Sequence, residues 1–466
     1  MSHRPGAGLR PATPTHYMAL ATDYDGTIAH DGVVDGPTLA ALKRLRAAHR
    51  RLILVTGREF DDLLQVMPRL DLFDRVVAEN GAVLYTPETR AVRLLAPSPS
   101  PAFVDRLRAD KIDPLAIGRA IVATGEREKA KVLAAISDLG LDLEITLNKG
   151  SVMVLPAGIN KESGLRAALA DLDLMPINVV AVGDAENDFA FFTLCGMTVA
   201  VHNALPSLKQ AAVFTTTAAR GAGVAELIGR MLDTDLAELE VGNARQQVGL
   251  ADGLSFSPHR TSLLLTGKSN TGKKTLITGL LERLASAGMQ ALVLDTEGHY
   301  GGLASAAEVG SAQDAPQLAT IIQALLQSAG CVTVNLEGVA LADRPAFYAH
   351  LLPKLLVLRA RTGRPHCIAI DEAHQMLPHG YDPAAAPSSA APKGMLYVTT
   401  EPDALSGQIV GTVDRIVALG KLAEKALAAF AQSAGLAGPA ALGPARPGML
   451  LTLGHTGPAQ RLTIIA

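Results

Sequence analysis

The sequence predicts an α/β protein of two parallel-sheet domains, and three observations predict it. At 466 residues the chain is longer than a single hydrophobic core organises. Short apolar runs alternate with helical patterns along most of its length, as in a parallel sheet wound with helices. Most of those runs stop at polar or charged residues, and open parallel sheets bind ligands beyond the carboxyl ends of their strands. Composition agrees. Apolar residues make up 48% of the chain, aromatics only 4%, and tryptophan is absent. That mixture suits compact layers better than an aromatic-rich binding surface.

Taken in order, residues 1–16 are rich in Pro, Gly and Arg, lack the apolar stretch of a signal peptide, and read as a disordered leader. A first domain is expected over 17–232, with apolar runs at Met18–Thr22, Leu52–Thr56, Val76–Ala78, Val179–Val182 and Thr198–Val201. Between about 82 and 155 the pattern changes. Glu126–Leu139 is amphipathic, and Leu143–Leu147 and Val152–Leu155 flank Asn148-Lys149-Gly150 as a hairpin, so a small α+β cap is expected over the crevice. A linker is expected at 233–253 and a second domain at 254–466. The second domain's runs are Leu263–Thr266, Ala291–Leu294, Val332–Asn335, Cys367–Ile370, Met395–Thr399 and Ile416–Leu419, with a mobile Ala/Pro/Ser loop at Asp382–Pro392 and a terminal hairpin.

The net charge of -3 gives nucleic acid no support as a partner, and no apolar run is long enough to span a bilayer. The three cysteines lie far apart without metal-ligand spacing, which points to a reducing cytoplasm.

Asp23-Tyr24-Asp25-Gly26-Thr27 comes directly after a predicted strand. Two carboxylates two residues apart, with a glycine for a tight turn, suit attack on a phosphate. Asp23 would form an aspartyl-phosphate, while Asp25 protonates the leaving oxygen and then deprotonates water. Attack of an anion on an anion calls for Mg²⁺ on hard oxygen ligands. Asp184 and Asp188, four residues apart in Gly183–Asp188, share a face if the segment turns helically. Thr56 offers a hydroxyl and Lys161 a positive charge. Singly, each piece also occurs in solvated turns and on helix surfaces; in this order, each at a strand end or helix start, they form a set.

That set, in Ala21–Ile28, Leu54–Glu59, Gly158–Leu165 and Val182–Phe192, resembles the four motifs of the haloacid dehalogenase superfamily. Glu79-Asn80-Gly81-Ala82 and Gly158–Lys161 are similar to its Cof-type branch (subfamily IIB), whose cap lies between the second and third motifs. The resemblance implies a Rossmann-like phosphatase domain acting on a small phosphomonoester. Asp23 would be nucleophile, Asp25 acid/base, and Thr56 and Lys161 phosphoryl contacts. Mg²⁺ would be held by Asp23, the Asp25 carbonyl and Asp184, with Asp188 beside it and Gly57, Arg58 and Asn187 near the phosphate.

The second domain opens with Leu263–Thr266 running into Gly267-Lys268-Ser269-Asn270-Thr271-Gly272-Lys273-Lys274-Thr275 and then a helical pattern. Strand, glycine loop and helix together are the setting in which backbone N–H groups cradle phosphates, and Lys273 has the spacing to reach them. Lys274 stands where a metal-binding hydroxyl is expected, and Thr275 lies about 100° further round the helix. Cys367–Ile370 leads into Asp371-Glu372, acids placed to hold Mg²⁺ and to activate water. With Asp295–Tyr300 and Thr399–Pro402, these segments resemble the HerA/FtsK-like P-loop ATPases. The resemblance implies a P-loop NTPase domain that binds ATP with weak or no turnover. The alternative is a nucleic-acid-linked motor with an accessory phosphatase, and either reading admits an oligomer.

Overall fold

A computed structural model describes residues 16–148, 150–240, 242–303, 306–381, 392–439, 442–455 and 457–464. Residues 1–15 of the expected leader and 382–391 of the expected mobile loop lie outside them. Contacts divide the chain into two units, one of Tyr17–Asn243, the other running from Ala244 onward with His16.

The strands of the first unit are β1 (Ala19–Thr22), β2 (Arg51–Val55), β3 (Arg75–Ala78), β4 (Val83–Thr86), β5 (Ala91–Leu94), β6 (Leu115–Ile117), β7 (Val122–Gly125), β8 (Leu143–Asn148), β9 (Ser151–Pro156), β10 (Val179–Gly183), β11 (Met197–Ala200) and β12 (Phe214–Thr215). The main sheet has the order β12-β11-β10-β1-β2-β3-β4-β5, parallel from β12 to β3 and antiparallel beyond. Strand β1 is central and buried throughout, which is why it reads as an unbroken apolar run. Its neighbours β10 and β2 end level with it, Thr22 pairing with Val182 and with Leu54. The segments leaving the carboxyl ends of these three strands therefore meet at one edge.

Strands β4 and β5 correct the expected cap boundary. They continue the main sheet, so residues 83–94 belong to the core layer. The cap's own sheet is β6-β7-β9-β8, antiparallel, with helices Pro101–Ala109 and Lys129–Asp138 packed on one face around Phe103, Val132, Val152 and Val154. The expected linker is also replaced by structure: a helix reaches Thr234, a short helix spans Ala237–Glu240, and Val248–Ala251 is a strand.

The second unit adds β13 (Val248–Ala251), β14 (Leu254–Phe256), β15 (Leu263–Thr266), β16 (Ala291–Asp295), β17 (Ala307–Val309), β18 (Val332–Asn335), β19 (Cys367–Ile370), β20 (Met395–Thr399), β21 (Arg415–Leu419), β22 (Met449–Gly454) and β23 (Gln460–Thr463). Its sheet order is β17-β18-β16-β19-β20-β15-β21-β22-β23, parallel as far as β21, with the last two strands an antiparallel hairpin. Strand β20 separates β15 from β19, so the glycine loop after β15 and the acids after β19 share one sheet edge. No helix among the described residues is long and apolar enough to cross a membrane.

Candidate active site

Asp23 stands at the end of β1, its backbone N–H bonded to the Val182 carbonyl of β10 at 3.0 Å. Asp184 and Asp188 lie beyond β10 in a turn that ends in the one-turn helix Glu186–Asp188. Asp188 accepts the backbone N–H groups of Asp184 (2.8 Å) and Ala185 (2.9 Å) through one oxygen. Its other oxygen meets Lys161 Nζ at 2.7 Å, and the same ammonium lies 2.6 Å from Asp23. Lys161 is 1% exposed and Asp188 fully buried. Burial pushes the Lys161 pKa down, but the Asp188 and Asp23 carboxylates outweigh it, and the pKa stands above that of an ordinary lysine. Burial moves Asp188 upward, with Lys161 opposing and the Asp23 charge adding to the rise.

Local sequence explains how a lysine reaches this depth. Asn160 caps the helix Lys161–Asp171, accepting the Ser163 N–H at 3.0 Å while Ser163 Oγ accepts the Asn160 N–H at 3.0 Å. The helix start packs directly on the Glu79–Gly81 turn. A Cβ on Gly81 would collide with the Asn160 carbonyl, and one on Gly164 would lie 2.6 Å from Gly81 Cα. Gly81 also has φ +112°, closed to L side chains. Two glycines thus permit the approach that lowers Lys161 onto Asp23.

Carboxylate oxygens of Asp23, Asp184 and Asp188 all lie within 4.8 Å of one another. Three hard oxygen donors in one buried cluster are the chemistry that Mg²⁺ selects, so the residues present fit the expected ion. Thr27 Oγ1 donates to Asp23 (3.1 Å), Asp184 Oδ1 lies 3.4 Å from the same hydroxyl, and Asn203 Nδ2 donates to the Gly26 carbonyl at 2.8 Å. Thr56 sits at the end of β2 with its hydroxyl accepting the Arg58 N–H at 3.1 Å. Asn187 donates to Asn80 Oδ1 at 3.2 Å, and its own Oδ1 is buried without a protein partner.

Arg58, expected near the phosphate, pairs here with two carboxylates. It grips Asp25 through two bonds, of 2.6 and 2.7 Å, and Asp62 through a third of 2.5 Å. Asp25 is accordingly turned toward Arg58, its side chain 43% exposed. The pairing is bidentate. Sequence reasoning also assigned no role to Thr27, Asn80 or Asn203, although the first two lie in the motifs already singled out.

In the second unit, the loop after β15 leads into the helix Lys273–Ser286. Lys273 Nζ turns back onto the Gly267 and Lys268 carbonyls (2.6 and 3.2 Å), and Thr271 Oγ1 donates to Lys268 at 2.7 Å. A cavity of about 520 Å³ brings Asn270, Gly272, Lys273, Lys274 and Thr275 together with Asp371 and Glu372. Gly267 lines a neighbouring cavity of about 470 Å³ instead. Burial, then the nearby Glu372 charge, pushes Asp371 up to about 7. Glu372 is held by the Thr400 backbone N–H (3.0 Å) and hydroxyl (2.8 Å). Asp295 caps its own loop, accepting N–H groups of Glu297, His299 and Tyr300.

The haloacid dehalogenase-like hydrolase family profile matches residues 20–115 and 120–228. A phosphoglycolate phosphatase of Methanothermobacter thermautotrophicus is 31% identical over 229 residues, 46% of this chain and 98% of that protein. One of Haloarcula marismortui is 30% identical over 223 residues, 46% of this chain and 97% of that protein. Among solved structures, a haloacid dehalogenase-like hydrolase from Bacteroides thetaiotaomicron aligns with 46% of this chain and 99% of its own, at 20% identity and a TM-score of 0.42.

Proposed function

The chain belongs, through residues 20–115 and 120–228, to the haloacid dehalogenase-like hydrolases, and from that premise we propose that Asp23 is the nucleophile with which it hydrolyses a small phosphomonoester. It is a phosphoric monoester hydrolase. The observation that carries the assignment of Asp23 is its buried contact with Lys161, which Asp188 shares, with the Asp184 carboxylate beside them. Asp23 attacks phosphorus, the leaving oxygen takes a proton from Asp25, and an aspartyl-phosphate remains. Asp25 then takes a proton from the water that releases phosphate. Lys161 holds the Asp23 carboxylate in place, and Thr56 and Asn187 hold phosphoryl oxygens, the Asn187 Nδ2 bond to Asn80 Oδ1 orienting an amide whose second N–H remains to donate. Mg²⁺, when bound, neutralises charge between the two anions; Asp23, Asp184 and the Asp25 carbonyl would hold it, with Asp188 beside them.

The relatives make phosphoglycolate the first substrate to test, beside sugar phosphates, nucleotides and an aryl phosphate. Turnover of none of these with Mg²⁺ present would contradict the proposal. Because Tyr17–Asn243 holds its own core, residues 17–243 expressed alone should fold and keep that hydrolysis. An inactive fragment beside an active full chain would tie the chemistry to the remainder.

For the second unit we propose nucleotide binding, on the cavity that joins Lys273 and Lys274 to Asp371 and Glu372. Lys274 cannot ligate a metal while charged, so ATP should raise the melting temperature with little dependence on Mg²⁺, and hydrolysis should be slow or undetectable. Lys273→Ala should abolish the shift, and Lys274→Ser should restore magnesium dependence. Rapid Mg²⁺-dependent ATPase activity of the unaltered chain would contradict this reading and point to Thr275 as the metal-binding hydroxyl.

A further inference from the structure

The cap strand β9 divides its side chains between two faces. Val152 and Val154 pack into the cap's own core with Phe103 and Val132. Met153 and Leu155 pack the other way, with Ala82, Ala96 and Ile121. Met153 approaches the core: a Cβ built on Gly57 would lie 2.9 Å from its Cε, 3.4 Å from its Sδ and 3.4 Å from Asn187 Nδ2. The methionine tip therefore lies against the two segments between which the phosphate is placed. In-line attack from Asp23 drives the leaving oxygen away from the core floor, toward the cap. Directly across from Met153 in the cap sheet stand Ala123 on β7 and Thr146 on β8, which share its face because opposed residues of antiparallel strands point the same way. A thioether tip this close to Gly57 lowers the roof over the phosphate, which favours a short, flexible leaving group over a ring.

The height of this roof is set by the core. Glu79, at the end of β3 and fully buried, accepts the N–H groups of Arg119 (2.9 Å), Ala120 (2.7 Å) and Ile121 (3.0 Å) from the turn between β6 and β7, and that of Phe60 at 3.3 Å. A Cβ on Gly118 would sit 2.8 Å from that carboxylate, so the turn closes around it. The clasped turn runs straight into β7, and Ala123 of β7 pairs with Met153.

We infer that Met153 is a specificity-determining residue that limits the leaving group to an acyclic alcohol of two or three carbons, and that Glu79 is the positioning residue that fixes its height. The inference rests on the phosphatase reading. Its test is kcat/KM for phosphoglycolate, glycerol phosphate, a hexose 6-phosphate and an aryl phosphate, in the full chain and three variants. The unaltered enzyme should prefer the two short substrates. Met153→Ala should narrow the gap to hexose phosphate by about tenfold or more, through KM, since pocket contacts of this size carry effects of that order. Met153→Leu, of similar volume, should keep the original ratio. Glu79→Gln, which puts an amide against the turn's N–H groups, should shift the ratio the same way as Met153→Ala, whereas a merely structural role would lower all four rates alike. An unchanged ratio in an active Met153→Ala enzyme, or hexose phosphate cleaved as well as phosphoglycolate by the unaltered one, overturns the inference. If Met153→Ala does not fold, an unchanged ratio in soluble Glu79→Gln does the same. Failure of the unaltered enzyme on every ester, the aryl phosphate included, strikes instead at the phosphatase reading and takes the inference with it.

Discussion

Asp23→Asn should lower Mg²⁺-dependent phosphomonoester hydrolysis by at least about a thousandfold, because an amide forms no acyl-phosphate and loss of a nucleophile removes the pathway itself. The fold should survive. Asparagine is nearly isosteric, and its Oδ1 can still accept from Lys161 or Thr27, which now contact the two Asp23 oxygens at 2.6 and 3.1 Å. One negative charge leaves the cluster, so Mg²⁺ affinity should fall as well. Retained turnover in a correctly folded Asp23→Asn enzyme, checked by circular dichroism and by rate at saturating Mg²⁺, would remove Asp23 from the role of nucleophile.

Lys161→Met should be as damaging to activity and far more damaging to stability. Its ammonium is the shared counter-ion of Asp23 and Asp188, whose side chains are 7% and 0% exposed. Removing one member of a buried ionic group leaves the others uncompensated, at a cost of about 3–5 kcal/mol. The variant should melt well below the unaltered chain in the absence of divalent ions. Added Mg²⁺ should recover part of the difference, since the two carboxylates then gain another cation. A melting temperature unchanged by Lys161→Met in the absence of metal would mean that the carboxylates are already neutral, contrary to their pairing with a charged lysine.

How far the molecule is legible in its sequence depends on where each signal is stored. Asp23, Thr56, Asp184 and Asp188 stand just beyond apolar runs. Parallel strands that end level bring their carboxyl-terminal segments together, so the meeting of these residues is readable from the chain. Lys161 is readable as a helix start, because Asn160 and Ser163 form a local cap. The cap boundary is not. Strand β5 is exposed along its whole length, and β4 is joined to the core by pairing with β3, so neither declares its layer by hydrophobic period. The Arg58 grip on Asp25 joins residues 33 apart in sequence, and the Glu79 clasp joins a carboxylate to backbone donors some forty residues on, a pairing for which residue type gives no local sign. The run Val152–Leu155 reads as one buried strand; only the two packed faces reveal that Met153 turns toward the crevice while Val152 and Val154 turn into the cap.

The most direct test of the central claim is to look for the phosphoryl group on Asp23. Asp25→Asn should form the aspartyl-phosphate from an aryl phosphate, whose leaving group departs without a proton, and then hydrolyse it slowly for want of a base. Acid quenching followed by peptide mass spectrometry should find one phosphoryl group on Asp23 in the presence of Mg²⁺. A phosphoryl group on another residue, or none in an Asp25→Asn enzyme that still releases the aryl alcohol, would contradict the account.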